Sequence, residues 1–572
     1  MRRIVVGAAG RTHHRLGGSA VAARLIGRPV RAIEESGAPT GERRLLVYQP
    51  PIVNAELGIR ASYLKSAVRL TMDLIRARVP TLVFGQSRNG VEVMLKYLRD
   101  RLPRAEVEPS AIQAYRGGYL PQKRREIEAG LREGRIRCVV ATNALELGID
   151  VGGLDAVVCA GYPGSLAQTW QRFGRAGRRS MGSLAVLVAS SAPLDQFVAA
   201  DPAYLTRAPV EEARIDPDNV EILIAHLKCA AFELPFEEGE PFGDLGPAPV
   251  GDALEFLARS EVLVPGVGGS GRRIYHWASN AYPANQISLR SASWDNFTIV
   301  ELGPDRLLAE MDWRSTHTML HEQAIYQHEA EQYQVERLDY DDHKAFVRKV
   351  ECDYYTTAMT HSNVSVLEQD EAARVQLGEG AALGAGLGDV LVVQKVVGYK
   401  KIKFHTHENV GYGEVHLPEI EMHTTSFWLT FPESFVTSLE RPRPVVIDAL
   451  RGLSKAMHLV ATIGLMVDPR DLGRTLGDHD EPGGPPGKAG GRGFDPTIFL
   501  YDQIPGGIGL APRLFEQREL LLRRARQLVE LCRCDDGCPA CIGPAIGELQ
   551  LTLRRRALIL AILESLGVGA LH

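Results

Sequence analysis

Long hydrophobic runs are absent from this 572-residue sequence. No apolar stretch approaches the roughly 20 residues that a membrane-spanning helix requires. The short apolar stretch at residues 4–10 ends at Arg11 and is too short for a secretory signal. These absences exclude an integral membrane protein with helical spans and predict a cytoplasmic protein without a membrane partner.

Cysteines are few, and four of the eight are scattered. Cys138, Cys159, Cys229 and Cys352 lie in apolar surroundings, where a reduced structural thiol is the usual state. The other four cysteines are clustered near the C-terminal end and need a separate explanation.

Two motifs of a complete ATP-driven motor are also missing. A glycine-rich loop ending in Gly-Lys-Ser or Gly-Lys-Thr would cradle the phosphates, and an acidic box would hold magnesium. The one Gly-Lys pair lies in Gly487-Lys488-Ala489, within the Gly/Pro-rich linker 477–493. An acidic-box-like sequence occurs at Asp370-Glu371-Ala372-Ala373. We interpret it as a chance match, because a helix-like Ala-Arg run follows it. The sequence therefore offers no phosphate cradle and no magnesium-binding box of its own.

The composition is globular, with a local excess of basic charge. A chain of 572 residues that is 45% hydrophobic can form about three to five domains, each with its own core. The whole chain has a net charge of −5, yet residues 81–180 contain 16 Lys/Arg against 10 Asp/Glu, a net of +6. A surface that follows a nucleic-acid strand requires such a local excess.

Short apolar runs in the same region predict an α/β lobe with a parallel sheet. Strands are expected near 81–84, 136–142, 155–160 and 183–189, with helices between them. The loops at the strand ends carry the polar motifs.

The most specific motif is Gln171-Arg172-Phe173-Gly174-Arg175-Ala176-Gly177-Arg178. Two arginines spaced by three, Arg175 and Arg178, can stabilise the charge that develops on a transferred phosphoryl group. The alternative is a solvated basic helix end.

Three segments precede this motif. Thr81–Asn89 is an apolar strand that ends in a polar loop, and Val139–Asp150 is a β-branched strand followed by a polar turn. Tyr115–Pro121 leads into Lys123-Arg124-Arg125 at a helix start that contains Pro121. Together with the arginine-rich motif, these segments resemble the second RecA-like lobe of superfamily 2 DEAD/DEAH-box helicases.

That resemblance implies a role for each motif residue. Catalytic arginine fingers are implied at Arg175 and Arg178, and nucleotide contacts at Gln171, Arg172, Gly148 and Asp150. Nucleic-acid contacts are implied at Ser87, Arg88, Arg116, Arg124, Thr142 and Asn143.

The clustered cysteines lie in Cys532-Arg533-Cys534-Asp535-Asp536-Gly537-Cys538-Pro539-Ala540-Cys541. Four thiolates at this density can close a tetrahedral shell around zinc. Because Cys-x-Cys is tighter than the usual zinc-knuckle spacing, zinc, an iron–sulfur cluster and disulfides or free thiols all remain open. With no open ligand position, the role is expected to be structural.

Three C-terminal segments indicate which type of superfamily 2 helicase the chain resembles. Val467–Gly473, Phe499–Leu510 with its Pro-Gly-Gly loop, and the cysteine cluster resemble the zinc-binding domain of helicases of the mitomycin repair factor A type. This resemblance implies five regions: 1–45, a remnant of the first helicase lobe; 46–200, the second lobe; 201–290, a winged-helix-like insert; 291–420, a small β module; and 421–572, the zinc-binding domain. Tyr354, Tyr355 and Trp428 either stack bases or fill the core.

The function implied by the resemblance is the C-terminal part of an ATP-dependent 3′-to-5′ DNA helicase in DNA repair, which binds single-stranded DNA. On this interpretation the chain lacks the first lobe, so ATP and magnesium are expected to bind only with a first motor lobe. The alternatives are a non-catalytic DNA-binding fragment and a subunit of a split helicase that needs a separately encoded first lobe.

Overall fold

The computed structural model describes residues 4–8, 23, 28–31, 41–54, 59–147, 152–177, 182–211, 219–269, 271–286, 296–376, 381–478, 495–532, 534, 536–543 and 554–569. Within them the chain forms an N-terminal α/β lobe, a winged-helix module, a β module and a C-terminal α+β domain. None of the helices in these ranges is long and apolar enough to cross a bilayer.

The N-terminal lobe, called the motor lobe below, contains a seven-stranded sheet in the order β1-β2-β9-β8-β5-β7-β6. All neighbouring strands are parallel except β1, which pairs antiparallel with β2. The strands are β1 (Ile4–Ala8), β2 (Arg43–Tyr48), β5 (Thr81–Phe84), β6 (Ile112–Tyr115), β7 (Cys138–Ala141), β8 (Ala156–Ala160) and β9 (Ser183–Val188), and β3 (Ile52–Asn54) and β4 (Ile59–Arg60) form a separate hairpin.

Helices cover this sheet, so its central strands are buried along their whole length. The helices are α1 (Tyr63–Arg76), α2 (Arg88–Arg101), α3 (Pro121–Arg132), α4 (Leu166–Phe173), α5 (Pro193–Ala200) and α6 (Tyr204–Arg207). The predicted α/β lobe with a parallel sheet is confirmed.

Two small modules follow. The winged-helix module contains α7 (Val220–Glu233), α8 (Pro247–Arg259), β10 (Phe236–Glu237), β11 (Leu263–Val267) and β12 (Arg273–Trp277). The β module is a five-stranded sheet in the order β14-β13-β17-β16-β15. Its elements are β13 (Asn296–Glu301), β14 (Arg306–Asp312), α9 (Trp313–Met319), β15 (Ile325–His328), β16 (Glu331–Asp339) and β17 (Lys344–Val350).

The C-terminal domain is built on a six-stranded sheet. Its strands are β18 (Tyr354–Val375), β19 (Leu383–Lys403), β20 (Asn409–Glu414), β21 (Ile420–Thr430), β22 (Leu472–Asp478) and β23 (Pro496–Asp502), and its helices are α10 (Glu433–Ser438), α11 (Arg443–Leu465), α12 (Leu510–Glu516), α13 (Arg518–Leu531) and α14 (Arg555–Ser565). Residue 420, the expected domain boundary, falls inside this sheet, because β18, β19 and β20 precede it and the other three strands do not.

The structure decides two expectations about this domain. Trp428 is 2% exposed and packs against the backbone of Gly386, where a Cβ would lie 2.2 Å from the indole ring, so Trp428 fills the core. Asp370–Ala373 lies within β18, so the helix expected there is wrong. Pairing with β19 along almost its whole length determines the conformation of this segment.

Candidate nucleic-acid cleft

A cleft of about 1020 Å³ lies between the motor lobe and the two domains that pack on it. The carboxyl ends of β5 and β7, neighbours in a parallel sheet, meet at the same edge and deliver the polar loops to one wall. That wall consists of Gly85, Gln86, Ser87, Arg88, Asn89, Gly117, Thr142, Asn143, Ala144, Glu146, Leu147 and Arg172. The other wall consists of Ser315, Thr318, Met319, Ile325, Tyr326, Gln327, Thr356, Thr357, Ala358, Thr360 and Arg470.

The loop after β5 is held by a helix cap and an ion pair. The Ser87 hydroxyl accepts a hydrogen bond from the Gly90 N–H at 3.0 Å and so caps α2. The neighbouring Arg88 pairs with Asp312 of the β module at 2.7 Å. Burial opposes ionisation of Asp312, but the Arg88 charge and the hydrogen bonds from Ser315 and Arg88 together outweigh it and lower the pKa of that carboxyl. Arg88 therefore joins two domains at the edge of the cleft.

The turn after β7 presents its polar groups directly to the cleft. The Thr142 hydroxyl accepts a hydrogen bond from the Ala144 N–H at 3.5 Å, which starts the short 3₁₀ turn Asn143–Leu145. Asn143 is exposed, and the Leu147 side chain is 62% exposed. The sequence predicted both Thr142 and Asn143 at a nucleic-acid surface, and the structure brings them together with Ser87 and Arg88.

Glu146 connects this turn to the arginine-rich motif. Its carboxylate accepts a hydrogen bond from the Arg172 Nε at 2.9 Å, and its carbonyl oxygen accepts one from the Arg175 Nε, also at 2.9 Å. All three side chains are buried. Arg172 also lies over the Phe84 ring, 5.1 Å from its centroid. Sequence analysis gave Glu146 no role, because pairing across 26 residues between two motifs has no local signal.

Arg116 lies in a different place from the one the resemblance implied. Its side chain is completely buried, pairs with Glu92 at 2.8 Å, and donates to the Tyr326 hydroxyl and the Gln327 carbonyl oxygen at 2.9 Å each. Tyr119 also donates to the Glu92 carboxylate at 2.8 Å. This network joins the lobe to the β module and leaves Arg116 no access to a nucleic-acid strand, which corrects the sequence-based role.

We expect Arg116→Met to destabilise the motor lobe by about 3–5 kcal/mol, because it leaves the Glu92 carboxylate buried without its charge partner. The double variant Arg116→Met with Glu92→Met removes both charges, so it should lose much less free energy of unfolding. Urea unfolding of both variants, followed by tryptophan fluorescence, measures the difference. Equal losses of unfolding free energy in the two variants would show that these side chains stabilise the lobe only through packing and not through their charges.

Two further predicted residues, Gln171 and Arg124, do not line the cleft. Gln171 is exposed at the end of α4, and Arg124 is half-buried on α3. Gly148, Asp150 and Arg178 lie outside the described residues.

The C-terminal domain reaches the cleft through Arg470. Arg470 binds the Asp468 carboxylate with two nitrogens, and Asp468 also accepts a hydrogen bond from the Gln168 Nε2 of the lobe at 3.2 Å. Burial, with the Asp468 charge second, raises the pKa of neighbouring Asp471 to about 6. Arg470, held by Asp468, is therefore a positively charged side chain in the lining of the cleft.

The four clustered cysteines converge in the C-terminal domain. Sγ–Sγ distances are 3.5 Å for Cys532–Cys534 and Cys534–Cys541, 3.6 Å for Cys532–Cys538, and 3.7 Å for Cys538–Cys541. All four sulfurs lie within 4.8 Å of one another, too far apart for disulfides. A tetrahedron with zinc–sulfur bonds of about 2.3 Å has edges of about 3.8 Å, so the thiols fit one zinc ion.

Backbone contacts fix the loops that carry these thiols. Arg556 donates to the Cys534 carbonyl at 2.7 Å, and Lys455 donates to the Pro539 carbonyl at 2.9 Å. The Cys538 N–H donates to the Cys541 sulfur at 3.4 Å, an arrangement that stabilises a thiolate. The four-thiol shell leaves no ligand position for a substrate, which agrees with a structural metal.

Three families match segments of the chain. Residues 65–180 match the helicase conserved C-terminal domain, residues 215–292 match the winged-helix domain of the ATP-dependent helicase HRQ1, and residues 453–542 match the MrfA zinc-binding domain. The four cysteines at residues 532–541 fall within the zinc-binding match, so they form a structural zinc site.

Relatives match over almost the whole chain. The uncharacterised ATP-dependent helicase YprA of Bacillus subtilis (strain 168) is 43% identical over 530 residues, which cover 92% of this chain and 67% of YprA. The Saccharomyces cerevisiae helicase HRQ1 is 28% identical over 90% of this chain, which spans 47% of HRQ1.

A solved structure also matches. The crystal structure of the DUF1998 helicase MrfA bound to DNA superimposes with a TM-score of 0.69 at 41% identity, covering 96% of this chain and 69% of MrfA. A structure of MrfA with DNA and AMPPNP gives a TM-score of 0.67 at 41% identity.

Proposed function

We propose a motor function for this chain, which belongs to the family of ATP-dependent helicases that includes YprA and MrfA. It supplies the second motor lobe and the accessory domains of an ATP-dependent DNA helicase. The enzyme moves 3′-to-5′ on single-stranded DNA and acts in DNA repair. The chain spans two thirds of YprA and about half of HRQ1. On this proposal a first lobe, in the same or a separate polypeptide, completes the motor.

The observation that carries this proposal is the cleft. Its lobe wall combines the loops after two parallel strands with Arg172, so the segments that resemble helicase motifs face one space. Hydroxyl and amide groups such as Ser87, Thr142 and Asn143 can bind phosphate and sugar oxygens without reading the base sequence. The crystallised relative MrfA binds DNA, which supports the same ligand class here.

Glu146 supplies a physical link between DNA and ATP. Its turn faces the cleft, while its carboxylate and carbonyl oxygens hold Arg172 and Arg175. A DNA strand that shifts this turn also shifts the arginine-rich motif. In the assembled motor, Arg175 and Arg178 serve as arginine fingers, and Gln171, Gly148 and Asp150 contribute to the nucleotide side.

A second candidate function is DNA binding without hydrolysis by the chain alone. Its support is the absence from the 572 residues of a Gly-Lys-Ser or Gly-Lys-Thr loop, the usual cradle for ATP phosphates. Arginine fingers have no charge to stabilise unless another lobe holds the nucleotide.

DNA-stimulated ATP hydrolysis separates these functions. The purified chain is assayed alone and then with the first lobe of a relative such as YprA, with and without single-stranded DNA. Hydrolysis only with the added lobe supports the motor proposal. DNA binding without hydrolysis in either mixture supports the second candidate, and hydrolysis by the chain alone would reveal a phosphate site outside the known motifs.

The cleft itself is tested by Asn143→Ala. We expect the affinity for single-stranded DNA to fall about tenfold, because a hydrogen bond to a charged phosphate contributes roughly 1.5–3 kcal/mol. Asn280→Ala, which changes an exposed asparagine of the winged-helix module, is the matched control. Fluorescence anisotropy with a labelled oligothymidylate measures both. An unchanged affinity in Asn143→Ala would place the strand elsewhere.

A further inference from the structure

One strand beside the cleft is unusually basic. Residues 390–407, which include most of β19, contain four lysines, two histidines and no Asp or Glu. Three of the lysines are engaged: Lys395 with Glu419 at 3.0 Å, Lys403 with Asp353 at 3.5 Å, and Lys401 over the Tyr354 ring at 5.3 Å. Lys400 has no carboxylate at salt-bridge distance in the described part of the chain, so its charge is available.

Lys400 stands between the cleft and an exposed aromatic side chain. It is the register partner of Thr357 on β18 and of Tyr412 on β20. Side chains of register partners lie on the same face of a sheet, with Cβ atoms about 4.5–5.5 Å apart. Thr357 lines the cleft. Thr357, Lys400 and Tyr412 thus form a row across three neighbouring strands. The row spans two strand spacings, about 10 Å, from the cleft-lining Thr357 to Tyr412.

Tyr412 differs sharply from the other tyrosine of this hairpin. Tyr399 belongs to the next register row, on the opposite face, where it is buried and stacks on His321 with ring centroids 4.9 Å apart. Tyr412 is 65% exposed, and among the described residues no aromatic ring lies against it. An aromatic side chain this exposed contributes little to folding and presents a flat apolar surface to solvent.

We propose that Tyr412 and Lys400 form an auxiliary site for single-stranded DNA at the mouth of the cleft. A base stacks on the Tyr412 ring, and Lys400 binds the adjoining phosphate. The combination of an exposed ring with a neighbouring cation suits single strands of any sequence, because every base has a flat face. This inference rests on the proposed function of the cleft and extends its DNA contact surface.

Oligonucleotide length tests the site. Binding of the full chain to oligothymidylates of about 6 and about 15 nucleotides is measured, lengths within the range that a single-strand site covers. Tyr412→Ala should weaken binding of the longer oligonucleotide about tenfold, since stacking contributes roughly 1–3 kcal/mol per base, and should leave the shorter one unchanged. Tyr412→Phe should retain wild-type affinity. Lys400→Ala should lower the slope of log affinity against log salt by about 0.7.

The controls distinguish the possible failures. Tyr282→Ala changes a tyrosine of similar exposure, 54%, on the winged-helix module and should alter neither affinity. Unchanged binding of both oligonucleotides in Tyr412→Ala overturns the auxiliary site but not the cleft. An equal loss for both lengths also overturns it, since Tyr412 would then act through the fold of the hairpin. Absence of DNA binding by the wild-type chain would contradict the proposed function instead.

Discussion

Cys538→Ser is expected to unfold the C-terminal domain and to abolish zinc binding. Cys538 is 8% exposed and belongs to the same buried cluster as the helices of this domain. Structural zinc contributes roughly 10–16 kcal/mol of folding free energy in small metal domains, and a shell of three thiolates loses most of it. We therefore expect the loss of a cooperative melting transition, not a small shift in its midpoint.

Metal content and melting are measured on the same samples. Elemental analysis should give one zinc per wild-type chain and none in Cys538→Ser, and limited proteolysis should cut the variant within residues 495–569. Cys352→Ser is the matched control, because Cys352 is half-buried and distant in sequence from the cluster. A variant without metal that keeps the wild-type melting profile would refute the structural role. Iron in place of zinc would assign the shell to an iron–sulfur cluster.

The sequence predicted local features of the motor lobe well because their signals are local. A strand buried on both faces is a continuous apolar run, and the polar residues Ser87 and Thr142 follow their strands within three residues. The four cysteines lie within ten residues, so their convergence was also predictable. Each of these features depends on residues that are close together in the chain.

Predictions about distant partners were less successful, and Arg116 shows why. The resemblance placed it at the DNA strand, but Tyr326 and Gln327, 210 and 211 residues later, enclose it. The composition near Arg116 contains no trace of this enclosure. The same limit applies to Trp428, because the space for its ring is provided by Gly386 on a neighbouring strand.

The Pro-Gly-Gly loop gained an explanation that sequence analysis did not provide. Asn219, which caps the first winged-helix helix, donates to the carbonyl oxygens of Pro505 and Gly507 at 3.1 Å each. Gly506 and Gly507 have positive φ angles, and a Cβ on Gly506 would lie 2.7 Å from the Asn219 amide nitrogen. Glycine is required at these positions because of the positive φ angles and the close approach of Asn219. Through this contact the loop joins the winged-helix module to the C-terminal domain.

Arg178→Ala is expected to abolish DNA-stimulated ATP hydrolysis in the motor assembled with a first lobe. An arginine that neutralises transition-state charge on the transferred phosphoryl group contributes about 10³–10⁵-fold to the rate, whereas binding of DNA does not depend on that charge. We therefore expect a loss in kcat of at least about a thousandfold, with the affinity for single-stranded DNA unchanged.

Two further variants, Arg179→Ala and Arg175→Ala, make the Arg178→Ala test specific. Arg179→Ala removes an adjacent positive charge outside the motif spacing and should retain hydrolysis. Arg175→Ala also removes a hydrogen bond to the Glu146 carbonyl, so we expect it to lower the thermal stability of the lobe as well as the rate. If Arg178→Ala weakened DNA binding as much as hydrolysis, Arg178 would belong to the DNA-binding surface. The arginine-finger assignment would then fail, while the assignment of the cleft would stand.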